Sequence, residues 1–378
     1  MNPDRRRGHY LDHASTSPAR PEVVAAVVDA LTGLGADPGR LHEPAAEVRH
    51  AVEASREQVA AMLGCRPRSV VFTSGATEAI HAAVWGATER GGHLVCAPVE
   101  HSAVRESSAR WADVGWVGVD GAGRVDPDEV VAAITEDTAL VHIQWGNHEV
   151  GTVQPVAEVV TVCRERGVLV HIDAAQAVGR LPVAFDALGA DLLSVSGHKL
   201  GGPPGIGALL IRPGLRLRPL LVGGEQERAR RAGFENVAAI AGLGAAAQVL
   251  TQDRILSEAA LARRSTQRVA SEAVSLDGVT VLGDGDPDGR LPHLVCLGID
   301  GIEPQAVLLG LDRRGVYVHS GSACAAETIE PSPVLAAMGV DADRSLRVSV
   351  GWNTTEADID ALLEGLAEVL FELRALAH

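Results

Sequence analysis

Lysine occurs once in this chain, at Lys199, although Lys and Arg together number 33; every other basic position is arginine. A coding bias toward arginine accounts for most of that imbalance, and it makes the surviving lysine informative. Arginine replaces lysine at surface and ion-pair sites. It cannot replace a lysine that must lose its proton and attack a carbonyl, because guanidinium stays charged. Asp173 precedes Lys199 by 26 residues, and each follows a β-rich run. An acid at a sheet edge usually caps a helix or pairs with arginine. Here the pair also meets what pyridoxal phosphate requires: an amine for a Schiff base and a carboxylate facing the pyridine nitrogen.

Other residues add to that chemistry. In Ser74-Gly-Ala-Thr77, Gly75 permits close backbone approach, and a following helix start offers free N–H groups to a phosphate. His101 has a ring that can stack on an aromatic cofactor, and Gln176 and Asn147 can hydrogen-bond a phenolic oxygen. Read one at a time, these are ordinary loop residues. Cys324 lies in HSGSACAAETIEPS, where small neighbours predict an accessible loop suited to a thiol that reaches two places. Arg347, in SLRVSVG, is expected near the start of a strand, with a guanidinium able to clamp a carboxylate bidentately.

The elements needed to position these groups are legible. Ser69–Phe72, His93–Cys96, Ala139–Gln144, Val168–Ile172 and Asp191–Val195 read as strands. Asp126–Ile134 and Val156–Arg166 have helical apolar spacing. Alternation of this kind predicts an α/β fold with a mostly parallel sheet, whose ligands bind at the C-terminal strand ends. Thr77, His101, Asn147, Asp173 and Lys199 follow five such ends. From about residue 236 an Ala-rich helical stretch runs to about 275. Strands near Leu294–Leu297, Val316–His319 and Leu346–Val350 come next. Thr355 to Asp358 reads as a capping box before a last amphipathic helix. Two domains are expected: a large one over 16–255, and a smaller α+β one formed by 1–15 and 256–378.

Composition narrows the function. With 49 acidic against 33 basic residues, the net charge of the 378-residue chain is -16, which argues against a broad nucleic-acid face. No apolar run approaches the ~20 residues of a membrane span, and no apolar run follows the basic N-terminal residues. Cys65, Cys96, Cys163, Cys296 and Cys324 are scattered without a C-x-x-C pair. A disulfide framework or metal site is therefore not expected, and the cytoplasm is the expected compartment.

Longer motifs point further. YLDHASTSP, FTSGATEA, EHSAV, GNHEVGTVQP, HIDAAQAVGRLP, SGHKLGGPPGIGAL, GGEQERARRAGFEN, SGSAC and LRVSVG occur in this order across nearly the whole chain. The chain resembles the cysteine desulfurases of the NifS/IscS-like group, class V, fold-type I pyridoxal phosphate enzymes. The resemblance implies that Lys199 forms the Schiff base and that His101 stacks on the ring. Asp173 then faces the pyridine nitrogen, and Gln176 and Asn147 reach the phenolic oxygen. Ala76, Thr77, Ser196 and His198 hold the phosphate. Cys324 takes the sulfur as a persulfide, while Arg347, with Asn147, binds the substrate L-cysteine. A homodimer and a sulfur-acceptor protein are implied as well. The alternatives are another class V enzyme (a selenocysteine lyase, β-lyase or aminotransferase) and a non-catalytic scaffold paralogue. Three positions depart from the group's pattern. Phe234 stands where a threonine is usual, His148 interrupts the usual NNE, and His81 ends GATEAIH.

Overall fold

The computed structural model describes residues 8–320, 332–341 and 344–376. A two-residue strand β1 (His9–Tyr10) leads into helices α1 (Pro21–Gly33) and α2 (Glu43–Met62). Both helices carry proline and an acid in the first turn, which suits the preset φ of proline and the positive end of the helix dipole. Next come β2 (Val70–Thr73), α3 (Ala76–Ala87), β3 (His93–Cys96), α4 (Ser102–Trp111), β4 (Asp113–Trp116) and β5 (Thr138–Gln144). Then follow β6 (Leu169–Asp173), β7 (Leu192–Ser196) and β8 (Gly207–Ile211).

These seven strands form one sheet in the order β2-β8-β7-β6-β5-β3-β4. Only β8 runs against the rest, pairing antiparallel with both β7 and β2. All residues of β5, β6, β7 and β8 are buried, as expected where helices cover both faces. On one face Val59, Phe72, Ile172 and Leu193 join a large apolar core. On the other, Ile80 and Val84 of α3 pack with Leu94, Leu140 and Leu209. The expected α/β fold with a mostly parallel sheet is the one observed.

A second core lies around β9 (Val279–Leu282), β10 (Leu294–Ile299) and β12 (Ser345–Ser349), which form an antiparallel sheet in the order β12-β10-β9. Strand β11 (Val316–Tyr317), the one preceding β12, pairs in parallel with β1. The last helix, Glu356–Leu376, buries Ile359, Leu362, Leu366, Val369 and Leu370 in this second core. The backbone N–H and Oγ1 of Thr355 donate to Asp358 Oδ2 at 2.7 and 2.8 Å, which fixes the helix start. The Ala-rich stretch is two helices rather than one, Val237–Val249 and Gln252–Ala273. The break falls where the Thr251 side chain accepts the N–H of Arg254 and starts a new helix. That second helix is tied to the N-terminal segment: Arg20 donates to both oxygens of Glu258 at 2.9 and 2.7 Å in a buried pair.

Candidate active site

The ends of β6 and β7 set the site. Asp173 closes β6, almost fully buried, and its Oδ1 accepts the N–H of Ala175 at 3.0 Å and the hydroxyl of Ser194 at 3.3 Å. Beyond Ser196, a 3-10 turn over Gly197–Leu200 carries Lys199. Gly201, at φ +83, ends that turn in a left-handed conformation that a side chain would strain. Gly207 on β8 lets the turn before α3 lie close. A Cβ there would sit 2.4 Å from Val195 O and 2.7 Å from Gly75 Cα. No side chain caps α3 at Gly75, so its first-turn N–H groups are left for a ligand.

A cavity of about 550 Å³ gathers these groups. Lys199, Asp173, His101, Gln176 and Arg347 line it, and Ala76, Thr77, Ser196 and His198 form another part of the wall. The lone lysine and the carboxylate therefore share one space, with the open helix start nearby. This donor set fits pyridoxal phosphate: an amine, a buried carboxylate, an imidazole and a phosphate cradle in one cavity. Burial lowers Lys199 to about 8; the Asp173 carboxylate opposes that shift and the Arg347 charge adds to it. Such an amine is neutral far more often near neutral pH than an exposed lysine.

His101 is the N-cap of α4 as well as a cavity wall. Its Nδ1 accepts the N–H of Ala103 at 3.0 Å, so the neutral ring carries its proton on Nε2. Burial, then the charges of His148 and Lys199, hold the imidazole far below its ordinary range, at about 2. Gln176 is held from two sides: its Nε2 donates to Ala14 O at 2.8 Å, and its Oε1 lies 3.2 Å from His293 Nε2. His198 Nδ1 lies 3.1 Å from Thr16 Oγ1.

Two placements differ from expectation. Asn147 is fully buried and does not line the cavity. Its Oδ1 accepts the N–H groups of Glu149 and Val150 at 2.8 and 2.9 Å, and its Nδ2 donates to Val99 O at 3.2 Å. Arg347 sits mid-strand in β12, opposite Cys296, rather than near the strand's start. Its two terminal nitrogens donate to His148 O, Asp12 Oδ1 and Ser15 Oγ at 2.8, 2.8 and 2.7 Å, and its buried Nε has no hydrogen-bond partner among the described residues. Cys324 lies outside the described residues.

The cavity also takes in residues that the sequence did not single out as functional: Ser15, Glu78, Gln144 and His148. Ser15 falls within the N-terminal motif YLDHASTSP, which could have flagged it. The His148 ring meets that of His101 edge-on, with centroids 5.1 Å apart. Nothing in the local pattern around Gln144 distinguishes it from a buried strand residue.

A lysine and a carboxylate at adjacent parallel strand ends, facing an open helix start, define an α/β enzyme built to hold pyridoxal phosphate. A sequence profile described as "Aminotransferase class-V" matches residues 9–362. A cysteine desulfurase of Trichormus azollae is 41% identical over 380 residues, covering 97% of this chain and 94% of that protein. Among solved structures, a NifS-like protein superposes with a TM-score of 0.89 at 31% identity, covering 96% of this chain and 99% of that one. Another, described as SspA in complex with cysteine, gives a TM-score of 0.80 at 30% identity, covering 90% and 98%. The chain belongs to the class-V aminotransferase family of pyridoxal phosphate enzymes, and within it to the cysteine desulfurases.

Proposed function

We propose that the protein converts L-cysteine to L-alanine and carries the released sulfur as a persulfide on Cys324. The observation that carries this reading is the shared cavity of Lys199, Asp173 and Arg347. When bound, pyridoxal phosphate supplies an aldehyde that condenses with amines and a ring that draws electrons from the substrate Cα. Lys199 holds the cofactor and then, as a free amine, removes the Cα proton; its lowered affinity for protons suits both tasks. Asp173, fixed by Ala175 and Ser194, would serve as the carboxylate for the pyridine nitrogen. Thr77, Ser196, His198 and the N–H groups of α3 would hold the phosphate. Arg347, already oriented by Asp12 and Ser15, binds the substrate carboxylate. The Cys324 thiolate attacks the substrate sulfur: an S–S bond forms, the Cβ–S bond breaks, and its electron pair stays with the carbon skeleton that leaves as alanine.

The other four thiols suit that attack poorly. Burial raises Cys65, Cys163 and Cys296 to about 12, and pushes Cys96 up further. Only the thiolate is a nucleophile. These four are also free thiols, which accords with a reducing cytoplasm. A homodimer is favoured by exposed apolar side chains: Phe234 is 65% and Val222 78% exposed, and Val24, Val28 and Leu31 line one face of α1. The sulfur then passes to a thiol of an acceptor protein. Among the described residues no helix is long and apolar enough to cross a membrane.

The test is a pulse of L-cysteine followed by mass spectrometry. The peptide holding Cys324 should gain one sulfur, and Cys324→Ser should retain the cofactor yet release no sulfide. Sulfur on Cys65, Cys96, Cys163 or Cys296 instead would refute the assignment.

A further inference from the structure

A second cavity, of about 280 Å³, lies behind the turn that precedes α3. That is close to the ~300 Å³ lower end of small-molecule sites. Its floor is apolar: Val71 and Leu209 come from the paired strands β2 and β8, Ala82 from α3, and Leu217 and Leu221 from the segment after β8. Its rim is cationic, with Arg216, Arg218, Arg228, Arg230 and Arg231. The one acid in the lining is Glu78, and Arg231 Nε already donates to it at 2.9 Å.

The remaining guanidiniums are only partly engaged. Arg218 lies over the Trp85 ring, 3.5 Å from its centroid; its terminal nitrogen donates to Trp85 O and Thr88 Oγ1 at 3.2 and 3.3 Å, and its Nε lies 3.6 Å from Glu89 Oε1. Arg216 is exposed and has no hydrogen-bonded partner among the described residues. Burial, and then the neighbouring Arg228 charge, hold Arg230 below its ordinary range. Arg228 is also paired, with Glu53 at 2.9 Å, so Arg216 and Arg230 are the rim charges without an acid partner among the described residues; on a chain with a net charge of -16 they make the cavity locally cationic.

We infer that this cavity binds an organic monocarboxylate with a compact apolar body. Its carboxylate would lie among Arg216, Arg218 and Arg230, and its body on Val71, Ala82 and Leu209. Arginine forks match carboxylates bidentately, and the floor supplies the apolar burial. The cavity is also placed to influence the first one. Glu78 lines both, and its Oε2 accepts the N–H of Ser74 at 2.8 Å. An anion that draws Arg231 away from Glu78 shifts the Ser74–Thr77 turn. This coupling rests on the reading of that turn as the phosphate cradle; the binding itself does not.

Calorimetric titration of the full-length holoenzyme with octanoate tests the site, with octylammonium as the probe of opposite charge. Octanoate should bind once per chain, and octylammonium at least about tenfold more weakly. Arg216→Glu, at an exposed position, and Ala82→Phe, which fills the floor, should each weaken octanoate by about tenfold or more. No heat from octanoate at millimolar concentration overturns the proposal. So does equal binding of octylammonium, or binding that neither substitution changes. Binding confined to a monomeric fraction also overturns it, because a second copy of the chain then fills the cavity. Octanoate should in addition alter the rate at which pyridoxal phosphate is lost on dialysis. An unchanged rate with octanoate bound removes the coupling but, being independent of turnover, leaves the desulfurase reading untouched.

Discussion

Lys199 is the residue whose chemistry tolerates least substitution. Lys199→Arg should eliminate both turnover and the visible absorbance of the bound cofactor, because guanidinium offers no neutral amine. Retained activity on a cysteine-to-alanine assay would show that another group does this work. Its burial has a second consequence, in the cofactor-free protein. A lysine lowered from 10.5 to about 8 binds fewer protons folded than unfolded between those values. Stability therefore rises with pH across that window, and the full penalty is present below it. Lys199→Met should be more stable than the parent at pH 7, by roughly 3 kcal/mol. The gap should close by about pH 10.5, as followed by urea unfolding of both cofactor-free proteins at several pH values. Arg347→Ala should raise KM for L-cysteine by ~2–4 kcal/mol in free-energy terms, with the resting cofactor spectrum unchanged. An unaltered KM would locate the carboxylate clamp elsewhere. That Lys199, Asp173 and Arg347 would meet in one cavity was legible because few residue types suit the roles expected of them. Asn147 was not: whether an amide faces a cavity or closes its own turn depends on backbone direction, which composition and spacing leave open. Nor did any local signal show that Asp12 and Ser15 would hold Arg347.

At the scale of elements, the turn over Glu227–Ala229 is the strained part of the frame. Three consecutive residues, Glu227, Arg228 and Ala229, take left-handed φ values of 49°, 59° and 58°. Each costs about 1–2 kcal/mol for a residue with a side chain. A buried clamp holds the turn. Arg56 donates to both oxygens of Glu227 at 2.7 Å, and Phe72 N–H adds a third bond to that carboxylate at 2.9 Å. Glu227→Ala leaves the Arg56 guanidinium buried and should cost ~3–5 kcal/mol. Ala229→Gly, which relieves a left-handed site, should instead stabilise by about 1 kcal/mol. Chemical denaturation of the two variants separates the clamp from the strain it holds. Strands β3, β5, β6 and β7 could be read from the sequence because continuous apolar runs meet polar residues at their ends. Strand β8 was harder, since its GALLI run follows a Gly- and Pro-rich turn and reverses direction. The break at Thr251 was missed because helical periodicity passes through it, and only the hydroxyl on the Arg254 N–H marks a new start.

For the whole molecule, Phe234 is the position to watch. It is 65% exposed and borders a small cavity that also includes Thr73, Ser74 and Gly205, beside the cradle. In a two-fold assembly such a ring would be covered by the second copy, where aromatics are favoured. A threonine there could donate to a phosphate; phenylalanine cannot. A hydrogen bond to a charged group contributes roughly 1.5–3 kcal/mol. Phe234→Thr should thus tighten pyridoxal phosphate by about tenfold to a hundredfold and weaken self-association. Dialysis retention and sedentimation of both proteins measure the two effects. Unchanged retention would mean that another donor already serves the phosphate.

The bond between Arg347 and Asp12 joins positions 335 residues apart, and the residues just after β1 bond directly to the end of β12: Ser349 N–H donates to Leu11 O at 2.8 Å. On the ribosome, Asp12 waits for its partner while the intervening chain is made, about 20–70 s at ~5–20 residues per second. Asp173 and Lys199 are translated well before Arg347. The groups that would hold the cofactor can therefore come together on a nascent chain before the group that would hold the amino acid exists. The order of synthesis thus separates cofactor capture from substrate recognition, and a polypeptide cut short before β12 would lack its guanidinium clamp.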